Sequence, residues 1–299
     1  MTAPPRILLT GCNGQVGWEL ARTLPTLGQV VATDSQSLNL ADGEAIHRVV
    51  AEVRPQIIVN AAAHTAVDKA ESERHRARAV NAIAPGLLAE AATRHGAVLV
   101  HYSTDYVFDG SGSALWREED PSAPLNVYGA SKLEGEHAIR ERCRRHLIFR
   151  TSWVYGLRGA NFLLTMRRLM GERPELKIVD DQIGAPTWCR HLAEATAQVL
   201  AQVASAARGA DKPEPWGVYH MTNAGEPSWH GFATAIQELD TTARLPDGSP
   251  ARLLPIPSQD YPTPARRPLN SRLDNGKLER VFGIRLPHWR DALSLCLDK

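Results

Sequence analysis

The chain has 299 residues, of which 43% are hydrophobic and 22% are charged, and its formal net charge at pH 7 is +1. This near-zero charge gives no electrostatic reason to expect nucleic acid or a membrane surface as a partner. No apolar stretch approaches the roughly 20 residues that span a bilayer, and the first residues lack the apolar core of a secretion signal, so we expect a cytoplasmic protein.

Short apolar runs alternate with helical patterns through the first half of the chain. Strands are predicted at 6–10, 29–33, 57–60, 98–103 and 147–151, and helices near 15–24, 43–53, 76–95 and 127–142. This alternation is typical of an α/β protein with a Rossmann-type, doubly wound parallel sheet. Such sheets bind ligands beyond the carboxyl ends of their strands, so residues that follow the strands should face one crevice.

The second half has a looser pattern and more proline. We expect residues 1–155 to form the sheet domain, with some later segments returning to it, and residues 156–299 to form mainly a smaller C-terminal lobe. The proline-rich stretch 254–268 is predicted to be an ordered loop without regular structure, because proline fixes φ. Residues 203–215 read as an exposed connection.

A glycine-rich turn, TGCNGQVG at 10–17, follows the first predicted strand and opens the first predicted helix. Glycines there let backbone N–H groups approach a pyrophosphate at a helix N-terminus, which predicts a dinucleotide site. Asp34 closes the second strand, where a carboxylate bonds the adenosine ribose hydroxyls and disfavours a 2′-phosphate. NADH should therefore serve at least as well as NADPH. The alternative for Asp34 is a turn residue.

Tyr128 and Lys132 are four residues apart, so they share one face of a helix. A nearby ammonium would lower the tyrosine pKa, which is ordinarily about 10, and make Tyr128 a proton donor for a reduced carbonyl. Thr104, which follows the fourth strand, would bond the same carbonyl oxygen. The alternative is a surface tyrosine and lysine on an amphipathic helix.

These residues and several long motifs carry a resemblance that runs from about residue 6 to residue 290. The motifs are NAAAHTAVDKAE at 60–71, YSTDYVFDG at 102–110, PLNVYG at 124–129, RTSWVY at 150–155 and YPTPARRP at 261–268. Together with the glycine turn, they resemble the dTDP-4-dehydrorhamnose reductase family of the extended short-chain dehydrogenase/reductases. The resemblance implies that residues 1–155 bind NADH or NADPH, and that 156–299 mainly bind a dTDP-sugar.

The resemblance also implies roles for individual residues. The catalytic residues would be Tyr128, Lys132 and Thr104. The cofactor would meet Tyr128 and Lys132, the turn residues Gly11, Asn13, Gly14, Gln15, Val16 and Gly17, and further along Asp34, Asn39, Leu40, Ala63, His64, Thr65 and Tyr102. The substrate would meet Thr104, Asp105, Tyr106, Trp153, Arg266 and Arg267. Guanidinium groups suit a diphosphate, although Arg266 and Arg267 would alternatively form ion pairs between the lobes.

No metal site is predicted. The four cysteines, Cys12, Cys143, Cys189 and Cys296, include no CxxC pair and are expected to be free thiols. Some members of the resembled family dimerise through a carboxylate cluster that holds Mg²⁺. This chain keeps Glu19 but has Arg190 at the second carboxylate position, and a cationic side chain cannot be a ligand. A bridging Mg²⁺ is therefore doubtful, and both a monomer and a homodimer remain open.

The implied activity is reduction of the C4 ketone of dTDP-4-dehydro-β-L-rhamnose, a step in supplying cell-surface polysaccharide. Related dehydratases carry an Asp-Glu pair after the catalytic threonine, whereas Asp105 is followed here by Tyr106. Dehydration is therefore disfavoured. Two alternatives remain, namely a nucleotide-sugar epimerase on the same scaffold and a non-catalytic regulatory subunit that binds the cofactor and a partner enzyme.

Overall fold

The computed structural model describes residues 4–206 and 214–298, so most of the connection expected at 203–215 lies outside the described residues. Its strands are β1 (Arg6–Thr10), β2 (Gln29–Thr33), β3 (Ile57–Asn60), β4 (Val98–Thr104), β5 (His146–Thr151), β6 (Val154–Tyr155), β7 (Glu175–Val179), β8 (Ile183–Gly184), β9 (Thr187–Trp188), β10 (Gly217–His220), β11 (Arg252–Ile256) and β12 (Asn270–Ser271).

The helices of the described residues follow the same alternation in the first half. They are α1 (Gln15–Thr23), α2 (Gly43–Val53), α3 (Val67–Ser72), α4 (Arg74–Arg78), α5 (Ala84–Arg94), α6 (Val127–Arg142), α7 (Phe162–Glu172), α8 (Cys189–Ala206), α9 (Trp229–Leu239), α10 (Gly276–Phe282) and α11 (Trp289–Leu297). No helix in the described part of the chain is long and apolar enough to cross a membrane.

Six strands form one central parallel sheet in the order β10-β5-β4-β3-β1-β2. Every residue of β3, β4 and β5 is buried, as expected when helices cover both faces of a parallel sheet. One apolar cluster joins the sheet to α1 and α8, and a second joins its other face to α2 and α5. The predicted Rossmann-type fold is confirmed.

The helix predicted over 76–95 is interrupted. A π-helical turn, Ala79–Ile83, separates α4 from α5. Pro85 has no N–H to donate to the carbonyl four residues earlier, that of Asn81, which favours such a break. The Asn81 carbonyl oxygen lies so close to Gly135 of α6 that a Cβ there would stand 2.1 Å from it. The π turn thus lets α6 pack against its neighbour at backbone distance.

The second half of the chain contributes β10, which pairs with β5 in the central sheet, and three two-stranded sheets. Two of these, β6–β9 and β7–β11, pack into a third apolar cluster. The prediction that 254–268 lacks regular structure is wrong at its start, because β11 includes Pro255 and pairs in parallel with β7. β11 pairs only with β7, so Pro255 lies on an edge strand, where a missing N–H is tolerated.

Glu136 of α6 and Arg150 of β5 form an ion pair that the sheet and helix bury almost completely. Arg150 donates through Nε at 2.9 Å and Nη2 at 2.7 Å, and the two side chains are 0% and 3% exposed. Such a pair stabilises a fold mainly by leaving no buried charge uncompensated.

Replacement of Glu136 by leucine should therefore lower the free energy of unfolding by about 3–5 kcal/mol, because Arg150 stays buried without a partner. The matched control is Glu134→Ala, also on α6, which breaks an exposed pair with Arg78 of α4 and should cost at most about 1 kcal/mol. Urea denaturation followed by tryptophan fluorescence measures both. Equal losses in the two variants would contradict the argument.

Candidate active site

The glycine turn leads directly from β1 into α1, and it leaves no room for a Cβ atom at Gly11 or Gly17. Gly11 has φ +71°, and a Cβ on it would stand 2.8 Å from the backbone of Ala62. A Cβ on Gly17 would stand 2.1 Å from the Gly11 carbonyl oxygen. Gly14, the N-cap of α1, has no side chain to accept the first amide N–H groups. Those donors suit a pyrophosphate, so the turn fits a dinucleotide.

Asp34 follows β2 and binds both its own turn and the glycine turn. Its Oδ1 accepts from the backbone N–H groups of Gln36 and Ser37 and from the Ser37 hydroxyl, and its Oδ2 accepts from Asn13 Nδ2 at 2.9 Å. These donors hold the pKa of the partly exposed Asp34 carboxyl below its ordinary value. Asp34 therefore stabilises its own turn, which is the alternative role named above for this residue. It also links Asn13 of the glycine turn to the end of β2.

Asn39 and Leu40, which are expected to meet the cofactor, have different surroundings. Asn39 accepts the Ala41 N–H through its side chain. Leu40 is buried in the apolar cluster that joins the sheet to α2, so most of its side chain is covered by the protein itself. A contact from Leu40 to a ligand would have to come mainly from its backbone.

The segment Ala63, His64 and Thr65 runs past the end of β3 toward α3. The His64 N–H donates to the Asn81 side chain at 2.8 Å, and its Nε2 lies 2.9 Å from Glu73 Oε2. Ala63 is partly exposed and Thr65 exposed. The partnered His64 ring belongs to a wall of the crevice and is poorly placed to act as a base.

α6 places Tyr128 and Lys132 on one face. Its N-cap, Asn126, accepts the Gly129 N–H at 2.8 Å. The Tyr128 ring meets the Tyr106 ring edge-on, with 5.7 Å between centroids. Gly129 permits this approach, because a Cβ there would stand 2.1 Å from the Tyr106 carbonyl oxygen.

The expectation that Lys132 lowers the pKa of Tyr128 is wrong for this structure. Burial, opposed by the neighbouring Thr104 hydroxyl and reinforced by the Asp105 carboxylate, raises the pKa of Tyr128 to about 12. The Lys132 Nζ instead donates to the Tyr102 carbonyl oxygen at 2.6 Å. Burial lowers the pKa of Lys132 to about 8. Tyr128 therefore keeps its proton at neutral pH.

Thr104 and Asp105 form a buried polar pair at the end of β4. The Thr104 hydroxyl donates to Asp105 Oδ1 at 3.0 Å, while Asp105 Oδ2 is buried without a partner. Burial raises the pKa of Asp105 to about 6. An unsatisfied buried oxygen at this point fits a hydroxyl-bearing ligand, since sugars supply such donors.

Tyr102 points away from these groups. Its hydroxyl lies 2.6 Å from the Thr196 hydroxyl of α8, on the opposite face of the sheet from α6, and burial raises its pKa. Tyr102 contacts the site through its backbone carbonyl oxygen, which accepts a hydrogen bond from Lys132.

Trp153 follows β5 with a left-handed backbone, φ +48°, which is rare for an aromatic residue. Its ring stacks on Trp229 of the C-terminal lobe, with centroids 3.5 Å apart and planes at 9°. Gly184 leaves room for the ring, because a Cβ there would stand 2.6 Å from it. Strained residues of this kind persist where packing fixes them, and they cluster at functional sites.

The two adjacent arginines diverge. Arg267 donates to Asp68 of α3 at 2.8 and 3.1 Å, the ion pair named as the alternative for these residues. Arg266 is exposed, and its carbonyl oxygen accepts from Asn126 Nδ2 at 2.7 Å. The proline-rich loop is thereby held beside α3 and the start of α6, with the Arg266 guanidinium outside the described ion pairs.

Glu19 and Arg190 contact each other within one chain, with Nε 3.3 Å from Oε2. Among the described residues, no three His, Cys, Asp or Glu side chains are grouped to hold a metal ion.

Sequence reasoning missed four side chains that support the site. Asn60 and His101 lie behind Lys132, Asn161 bonds Gln15 of the glycine turn at 2.8 Å, and Trp229 backs Trp153. Asn60 and His101 carried a readable signal, because each is a polar residue inside an otherwise apolar predicted strand. The other two come from distant parts of the chain.

Comparison with known proteins identifies the family. Residues 5–299 match the family model of the RmlD substrate binding domain. The chain is 52% identical over 296 residues to a dTDP-4-dehydrorhamnose reductase of Burkholderia thailandensis, with 98% of each chain covered. The structure of a dTDP-4-dehydrorhamnose reductase from Clostridium acetobutylicum is similar, with a TM-score of 0.89, 36% identity and 98% of each chain covered. That of the Bacillus anthracis reductase in complex with NADP has a TM-score of 0.88, 35% identity and the same coverage. The chain therefore belongs to the RmlD substrate-binding-domain family.

Proposed function

We propose that this chain is a dTDP-4-dehydrorhamnose reductase, which reduces the C4 ketone of dTDP-4-dehydro-β-L-rhamnose to give dTDP-β-L-rhamnose with NADH or NADPH. The observation that carries this proposal is the placing of Tyr128 against Thr104 at the end of β4, beside a glycine turn shaped for a dinucleotide. The full-length similarity to reductases of this name supports the substrate.

The chain's own residues supply the acid chemistry. A bound nicotinamide supplies hydride to the sugar carbonyl carbon. Tyr128, protonated at neutral pH, donates its proton to the developing alkoxide, and the Thr104 hydroxyl orients the same oxygen. Lys132, held by the Tyr102 carbonyl, positions the cofactor ribose. The Trp153–Trp229 stack bounds the sugar side and helps to exclude water.

In this proposal, the residues along the crevice from the glycine turn to Tyr128 would hold the cofactor. Residues 1–155, joined by β10, form the cofactor domain, and residues 156–299 mainly form the substrate lobe. The carboxylate of Asp34 disfavours a 2′-phosphate, so NADH serves at least as well as NADPH. The enzyme is a cytoplasmic monomer or homodimer and needs no bridging Mg²⁺, since Arg190 occupies the Glu19 carboxylate.

Tyr128→Phe should lower kcat at least about 1000-fold and leave cofactor affinity nearly unchanged, because only the acidic proton is lost. Loss of NADH or NADPH absorbance with enzymatically prepared dTDP-4-dehydro-L-rhamnose measures turnover and cofactor preference together. The control, Tyr219→Phe, removes a tyrosine hydroxyl of β10 that donates to the Pro215 carbonyl oxygen, and it should keep kcat within about tenfold. Absence of turnover in the unaltered protein, with cofactor bound, would instead favour the epimerase or the regulatory subunit.

Arg266→Ala should weaken binding of dTDP itself about 10- to 150-fold, because a charge-assisted bond to the diphosphate is worth about 1.5–3 kcal/mol. Titration calorimetry measures this without turnover. The matched control is Arg252→Ala, which removes an exposed arginine of β11 that pairs with Glu175 of β7. This variant should bind dTDP normally. Unchanged affinity in Arg266→Ala would remove Arg266 from the substrate site.

A further inference from the structure

One side chain of the C-terminal lobe reaches the glycine turn. Asn161 lies between β6 and α7, and its Nδ2 stands 2.8 Å from Oε1 of Gln15, the first residue of α1. The Gln15 Nε2 in turn lies 3.4 Å from the carbonyl oxygen of Val154 in β6. Both ends of the Gln15 amide therefore face the segment of chain that enters the lobe. Asn161 is not among the residues assigned above to the cofactor or the substrate.

The orientation of the Asn161 amide follows from its neighbours. The Leu164 N–H lies 3.0 Å from one amide atom of Asn161, and since a backbone N–H can only donate, that atom is the oxygen. The nitrogen then donates to Gln15 and to the carbonyl oxygen of Gly156, 2.9 Å away. Asn161 thus caps α7 with its oxygen and holds Gln15 with its nitrogen, so a substitution can remove one role and keep the other.

Packing brings the same two segments together. Val16, which follows Gln15, packs against the apolar cluster that joins the sheet to α1 and against the cluster of the lobe. The guanidinium carbon of Arg158 lies 5.2 Å from the centroid of the Trp18 ring on α1. The loop 156–161 therefore lies along the start of α1, and the bond from Asn161 fixes its place there.

The start of α1 is a part of the chain that needs such support. The turn contains three glycines, and glycine loses more conformational freedom on becoming ordered than any other residue. The bond from Asn13 to Asp34 ties the turn to the sheet, and the bond from Asn161 to Gln15 ties it to the lobe. A turn that is already held in one form costs less to order when a ligand binds.

We propose that Asn161 is a positioning residue for the dinucleotide, because it fixes Gln15 and with it the N–H groups at the start of α1 that would hold the pyrophosphate. The cofactor site is thus built from both halves of the chain, and the lobe contributes to it without touching the cofactor through Asn161. This inference rests on the nicotinamide cofactor of the proposed function.

The first test follows amide hydrogen exchange in the protein alone. Asn161→Ser keeps an oxygen that caps α7, because serine is about as good an N-cap as asparagine, but it has no nitrogen to donate to Gln15. The N–H groups of Gly14 and Trp18, which bond carbonyl oxygens within the turn, should then exchange about 3- to 10-fold faster. Resolved ¹⁵N spectra measure both rates.

The matched control is Thr165→Ala. It removes an exposed hydroxyl that donates to the Asn161 carbonyl oxygen at 2.8 Å in the same turn of α7, and it leaves the Asn161 side chain in place. Exchange at Gly14 and Trp18 should stay unchanged in this variant. Equally fast exchange in Thr165→Ala would overturn the proposal, because any disturbance of α7 would then have the same effect.

The second test measures the affinity for NADH and for NADPH by titration calorimetry without substrate. Asn161→Ser should weaken the binding of each dinucleotide about 3- to 10-fold, and Thr165→Ala should leave both affinities unchanged. In a Gln15→Ala background, the same Asn161→Ser substitution should change the affinity by less than about twofold, because Asn161 acts through Gln15.

Two results of the affinity measurements overturn the proposal. One is an unchanged affinity for both dinucleotides in Asn161→Ser, and the other is an undiminished loss in the Gln15→Ala background. Reductase turnover in a protein that gives either result would leave the proposed function standing. The expected losses of dinucleotide affinity, in a protein that does not reduce dTDP-4-dehydro-L-rhamnose, would support the role of Asn161 and contradict the proposed function.

Discussion

The burial of the Lys132 amine is the constraint on which the catalytic half of the molecule depends. The residue is 2% exposed, so its nitrogen must find partners from the sheet beneath it. The carbonyl of Tyr102 and the ring of His101 supply them, while Glu136, one turn further along α6, is matched by Arg150 of β5. Two groups of buried polar side chains, Lys132 with His101 and Glu136 with Arg150, therefore lie between α6 and a mainly apolar face of the sheet.

The glycines of α6 set a second constraint, because they let the helix approach two neighbouring turns at backbone distance. Gly129 and Gly135 on α6 each face a carbonyl oxygen that a Cβ would strike. The π turn at Ala79–Ile83 offers the carbonyl that faces Gly135, and its Asn81 side chain bonds the hydroxyl of Ser131 on the same helix. Backbone contact on one side and the buried Glu136–Arg150 ion pair on the other fix the height of Tyr128 in the crevice.

Much of this was readable from the sequence. Buried parallel strands are continuous apolar runs, so β1, β2 and β3 were predicted with their observed bounds, and β4 and β5 within one residue. The carboxyl ends of parallel strands lie at one edge of the sheet, so the residues that follow these strands could also be predicted to lie there. The predictions from the sequence failed where contacts between distant parts of the chain determine the local structure. The π turn depends on packing against Gly135, and the strand through Pro255 depends on its edge position.

The electrostatics of the site were the least predictable part. A spacing of four residues puts Tyr128 and Lys132 on one helix face, but it does not say which acceptor the lysine nitrogen finds. The backbone of β4 decides that, and it draws the ammonium donor away from the phenol. Likewise, the sequence does not distinguish the roles of the adjacent Arg266 and Arg267. In the structure they differ because Arg267 pairs with the carboxylate of Asp68.

The Asp68–Arg267 contact joins residues 199 positions apart in the chain. During synthesis, the glycine turn and the first strands emerge long before residue 267 does, and domains tend to fold from the N-terminus as they emerge. The strands β1 to β5 can therefore begin to fold on the ribosome, before α8 and β10 emerge to complete the core on one face of the sheet. The wall beside α3 is completed only when almost the whole polypeptide has been made, so the contact between α3 and the proline-rich loop is among the last that a nascent chain gains.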